Sequence, residues 1–173
     1  MDKILIYQVL PRLYGNACTQ NVPSGTIEQN GCGKMNDFTD ARLRRIATYG
    51  FTHIWYTGLL EHATQTDYTA HGIAADNPMV VKGKAGSPYA IKDYYDIDPD
   101  LASTPSKRMR EFQALVNRTH KAGLKMVMDF VPNHVARQYH SDAAPAGVRD
   151  LGADDDQTKA FSPHNNFYYV PGE

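Results

Sequence analysis

Two cysteines, one tryptophan and no long apolar run set the first limits on this 173-residue chain. So few cysteines exclude a small disulfide scaffold, and the length suffices for about one ordinary domain with a core of its own. The longest apolar runs, such as the one opening at Ile4, fall far short of the roughly 20 residues that span a bilayer. A surplus of either charge is also missing: 18 Lys and Arg face 19 Asp and Glu, a net charge of −1. With no basic field, nucleic acid and acidic membrane surfaces are not expected partners. Residues 1–3 lead directly into a strand-like run, without the basic flank, long apolar stretch and small-residue cleavage site of a leader. The sequence therefore reads as cytoplasmic, or as exported with its leader removed. No repeat, heptad or low-complexity tract competes with a globular reading, which the 42% hydrophobic and 21% charged content supports.

What is present is an alternation of strand and helix signals. Residues 4–10 (ILIYQVL) are β-branched, aromatic and apolar, closed by Pro11 and Gly15, and read as a buried strand of a parallel sheet. Residues 15–36 are polar and glycine-bearing, a long loop. Asp37 or Thr39 can cap a helix whose Leu43, Ile46 and Ala47 share one face and whose stop is Gly50. Residues 53–60 (HIWYTGLL) form the second predicted strand. Some forty loop residues follow, a length that inside a compact domain usually has a function. Thr104 and Pro105 open a second helix, carried by Met109, Phe112, Leu115 and Val116 and ended by Gly123. Residues 125–131 (KMVMDFV) form the third strand, broken by Pro132. Strand, helix, strand, helix, strand is the order of an α/β fold with a parallel sheet and right-handed crossovers. The first turn reads PRLYG and lacks a glycine-rich phosphate loop, which argues against a nucleotide fold.

In such folds the ligand lies beyond the carboxyl ends of the strands. Arg12 and Tyr14 follow the first strand, Glu61 and His62 the second, and Asp129, Asn133 and His134 the third. Singly, each has an ordinary structural reading as a hydrogen-bonding partner. Together with their surroundings they are more specific. The blocks IYQVLPRLYG, FTHIWYTGL, YAIKDYYDIDPDL, HKAGLK and DFVPNH resemble, in order and spacing, the amino-terminal blocks of the alpha-amylase family, glycoside hydrolase family 13. The likeness covers residues 4–134 and fades afterwards.

That resemblance implies the first three βα units of a (β/α)8 TIM barrel over residues 1–134. It also implies the start of an irregular domain, inserted after strand three, over residues 135–173. It implies retaining hydrolysis or transfer of alpha-glucosidic bonds in glucans or oligosaccharides. Asp129 and Asp93 would support the active site, His134 would hydrogen-bond the sugar, and Tyr89 would lie under it as an aromatic platform. Asn133 would help to hold a structural calcium. The residue types suit the task, since a glucose ring offers a weakly polar face to an aromatic plane and a rim of hydroxyls to imidazole and carboxylate.

Two departures stand out. Ser87 and Pro88 precede Tyr89 where the family often has a His-Gly pair. A retaining glycosidase also needs two carboxyl groups about 5 to 5.5 Å apart. The family draws these and a helper acid from strands four, five and seven, so none of the three catalytic acids is expected here and the 173 residues read as an inactive amino-terminal piece. Two alternatives remain: a non-catalytic carbohydrate-binding or transporter-accessory relative, and an unrelated barrel in which Asp129 and His134 bind a hydrolytic metal. Cys18 and Cys32 read equally as a loop-ordering bridge or as two thiols. Unpaired edges at the first and third strands predict self-association.

Overall fold

The computed structural model describes residues 3–172. In chain order it contains β1 (Ile6–Val9), α1 (Ile27–Asn30), α2 (Asp40–Thr48), β2 (His53–Tyr56), β3 (Leu60–His62), β4 (Ile91–Ile97), α3 (Arg108–Lys121) and β5 (Lys125–Met128). β1, β2 and β5 form a parallel sheet in that order, with Ile54 of β2 opposite Tyr7 and Met126. α2 and α3 occupy the two crossovers, as the alternation of strand and helix signals requires.

Local chemistry sets the helix bounds. Thr39, not Asp37, caps α2: its hydroxyl accepts from the Arg42 amide at 3.3 Å, and Gly50 follows with φ +89. Asp37 instead accepts from the Lys34 amide at 2.7 Å, within a 3-10 turn over Met35–Asp37. A 3-10 turn at Pro105–Lys107 leads into α3, and Gly123 at φ +81 lies just beyond its end. The core fills the space between these helices and the sheet: Met35, Phe38, Leu43, Ile46, Ile54, Tyr56 and Leu115 are among its buried members. Phe38 is sandwiched, stacked on Tyr14 at 4.2 Å and edge-on to Tyr56 at 4.9 Å.

Four expectations need correction. The first strand is shorter than residues 4–10 and is not buried, with Ile6 48% exposed. The reason is topological: among the described residues β1 pairs only with β2 and is an edge. The second strand does not continue to Leu60, because Gly58 at φ +74 turns the chain out of the sheet and Leu60–His62 joins a different ladder. That ladder is antiparallel, β3 with β4, and it occupies the stretch read as unbroken loop; irregular register around Glu61 shortens β3 and hides its period. The third strand ends at Met128 rather than Val131. Cys18 and Cys32 are free thiols whose Sγ atoms donate to different carbonyls, Gln29 and Gly33. Burial pushes the Cys32 thiol up to about 12.

After β5 the described residues contain neither helix nor strand. The segment is laid along β4 by backbone bonds from Ala136 to Ile91 and from His140 to Lys92. Beyond it, aspartates serve as local braces: Asp155 accepts from the Asn166 and Phe167 amides at 2.8 and 2.9 Å. No described helix is long and apolar enough to cross a membrane.

Candidate functional site

Asp129 lies one residue past β5, and its carboxylate is occupied from the neighbouring strand region. Trp55 Nε1 donates to Oδ1 and the Gly58 amide donates to Oδ2 at 3.2 Å. These bonds fix its orientation and join the carboxyl ends of β2 and β5. A carboxylate so engaged is suited to support rather than to attack.

Tyr89 reaches the same end of the sheet through a tightly specified turn. A Cβ on Gly86, at φ +70, would lie 1.8 Å from the Ala63 carbonyl, so only glycine fits there. A Cβ on Gly58 would likewise meet Pro88 at 2.5 Å. The Pro88–Gly58 contact brings the Tyr89 turn beside the turn that donates to Asp129. Tyr89 itself is 45% exposed.

Arg12 and His62 hold that turn from beneath. Arg12 donates to the carbonyls of Ala85 at 3.0 Å and Gly86 at 3.2 Å, and its Nη2 lies 2.5 Å from His62 Nε2. The other imidazole nitrogen lies 2.6 Å from Asp98 Oδ2, with both side chains buried. Burial opposes protonation of His62, and the Asp98 carboxylate more than reverses this, holding its pKa above the ordinary histidine value. Arg12 and His62 therefore act on the backbone carrying Tyr89. Tyr14 faces the core, stacked on Phe38.

Asp93 is fully buried. It accepts from Ser141 Oγ at 2.7 Å, the Ala143 amide at 3.2 Å and the Tyr95 amide at 2.7 Å. It thus ties β4 to the segment that follows β5. Within that segment His140 Nδ1 lies 2.7 Å from Asp150 Oδ2, and that hydrogen bond raises the imidazole pKa.

Asn133 and His134 are exposed and line a cleft of about 320 Å³ with Tyr94, Phe130, Asn166 and Phe167. Three aromatic rings and three polar side chains give it both an apolar wall and a hydrogen-bonding rim. Tyr89 is not among its lining residues. Tyr94, Phe130 and Phe167 escaped the sequence reading, although Phe130 stands inside DFVPNH and Phe167 opens an aromatic run, FYY, over residues 167–169. Among the described residues no carboxylate lines the cleft beside Asn133, and no three His, Cys, Asp or Glu side chains converge to hold a metal. Calcium takes six to eight oxygens, so these residues do not by themselves make a calcium site.

Comparison with known proteins identifies the family. The chain is 26% identical over 128 residues to maltase A1 of Drosophila melanogaster, covering 74% of this chain and 16% of that protein. It is 28% identical over 137 residues to trehalose-6-phosphate hydrolase of Bacillus subtilis, covering 79% and 18%. The chain thus spans less than a fifth of each of these relatives. The crystal structure of Bacillus licheniformis trehalose-6-phosphate hydrolase superposes with a TM-score of 0.50 at 24% identity, over 79% of this chain and 18% of that one, a likeness of fold. Residues 8–165, nearly the whole chain, match the alpha amylase catalytic domain, and the chain belongs to that family.

Proposed function

We propose that these residues are the first three βα units of a (β/α)8 barrel that hydrolyses or transfers alpha-glucosidic bonds by a retaining mechanism, with residues 135–173 opening an irregular inserted domain. In this reading the chain supplies the sugar's seat, and the acids that break the bond come from strands beyond these residues. Support comes from the relatives, named for maltase and trehalose-6-phosphate hydrolase activity. The observation that carries the reading is the cleft in which His134 stands among aromatic rings just past the carboxyl end of β5.

The division of labour follows from the contacts. His134 has an exposed side chain and offers an imidazole to ring hydroxyls. Tyr89 offers its ring to the apolar face of a sugar. Asp129, held by Trp55 and Gly58, and Asp93, held by Ser141 and Ala143, fix the two chain segments between which the sugar lies. Asn133 belongs to the rim of the cleft; a calcium there would need oxygens from outside these residues. The edges of β1 and β5, with Ile4, Ile6 and Phe130 exposed near them, are surfaces through which the isolated residues would self-associate.

The test is turnover of an alpha-glucoside by the full-length protein. His134→Ala and Tyr89→Ala should each lower kcat by about tenfold to a hundredfold, the loss of about 1 to 3 kcal/mol of transition-state binding, without unfolding the protein. Wild-type rates in both variants would refute the assignment. Sugar binding without turnover in the wild type would identify a carbohydrate-binding relative instead.

A further inference from the structure

The β3–β4 ladder buries more carboxylates than its cations neutralise. Arg108 is committed to Asp96, its Nε 2.9 Å from both oxygens. Lys92 is committed to Asp76 at 3.4 Å and also donates to the Ala74 carbonyl. Asp93 has its three hydrogen bonds and Asp98 faces His62. Glu61 is left over. It is 1% exposed and sits opposite Asp93 at the irregular point of the ladder. Among the described residues no donor is within hydrogen-bond distance of either of its oxygens, and Lys92 Nζ is 3.9 Å from Oε1.

An ionised carboxylate with no donor and a cation already engaged elsewhere is far more costly to bury than the neutral acid. We propose that Glu61 carries a proton in the folded chain, and that its loss at alkaline pH loosens the β3–β4 ladder together with the turn bearing Tyr89. This inference rests on the ladder alone and is independent of the glucoside reading. Burial pushes the Glu61 carboxyl up from the ordinary 4.5 to about 8; Lys92 pulls it down, and Asp96, Asp93 and Asp98 add to the rise. Arg108 also feels the Glu61 charge from α3, and Asp76 stands on the far side of Lys92.

The sign follows from proton counting. Between its two pKa values Glu61 holds a proton in the folded chain that the unfolded chain has released. Its contribution to stability is present below the ordinary value and is lost as pH rises to about 8. Urea unfolding of the purified protein and of Glu61→Gln, from about pH 5 to about pH 9, reads this directly. The wild type should lose stability relative to Glu61→Gln with a slope of about one proton, since the other titrating groups are common to both. Should the variant fail to fold, the infrared carbonyl band of a protonated carboxylic acid in the wild type decides. It should be present at neutral pH and fade on the alkaline side. Parallel stability curves, or no such band at neutral pH, would overturn the proposal.

Discussion

The parallel sheet and the antiparallel ladder lie next to each other in the chain, and the ladder buries charged side chains beside its Ile91 and Ile97. Around β1, β2 and β5 the interior is Ile54, Tyr56, Phe38, Leu43 and Leu115. Within β3 and β4 it includes Glu61, His62, Lys92, Asp93 and Asp96, each under 5% exposed. The sheet is held by packing, which is indifferent to pH and tolerant of which apolar residue fills a place. The ladder is held by specific charge and hydrogen-bond partnerships, each costly to leave half made. The difference matters because Tyr89 and Asp93 belong to the ladder and its approach, whereas Asp129 stands at the end of a sheet strand. The candidate site is thus assembled from one apolar support and one rich in buried charge.

The comparison can be broken most severely at its apolar side. Phe38→Ala removes the ring between Tyr14 and Tyr56 and should cost about 3 to 5 kcal/mol in chemical denaturation, a loss that does not vary with pH because no charge is involved. On the ladder side, Asp96→Asn leaves Arg108 with its bidentate partner gone and should cost about 3 kcal/mol. The sharper reading is the double change: adding Arg108→Met should restore part of that loss, because the unpaired, partly buried cation goes with it. No second substitution at a charged position should rescue Phe38→Ala.

The same contrast explains what the sequence disclosed. Apolar periodicity reports burial by packing, so α2, α3 and the three parallel strands were legible from Leu43, Ile46, Leu115 and the runs at residues 53–56 and 125–128. The ladder was not, because its strands read EH and KDYYD: buried charges look like solvated ones until their partners are known. Glu61 and His62 were singled out by position at a strand end, but the task of His62 in supporting the turn below Tyr89 depends on Arg12 and Asp98, residues 50 and 36 places away from it. Asp129, Asn133 and His134 were singled out because they share one short block. The cleft that His134 lines was hidden, since Tyr94, Phe130 and Phe167 come from three separate stretches. The disposition of Cys18 and Cys32 was likewise not legible, because loop composition does not fix where two side chains point.

The central claim is that the end of the sheet carrying Asp129, Asn133 and His134 is the seat of a glucosyl unit. It is tested most directly by titrating the protein with a maltooligosaccharide and following the amide and side-chain resonances residue by residue. The account predicts saturable shifts at Tyr89, Phe130, Asn133 and His134, reduced in His134→Ala. Saturable binding whose shifts fall elsewhere, for instance only on the loop bearing Cys18 and Cys32, with His134 and Tyr89 unmoved, would contradict it.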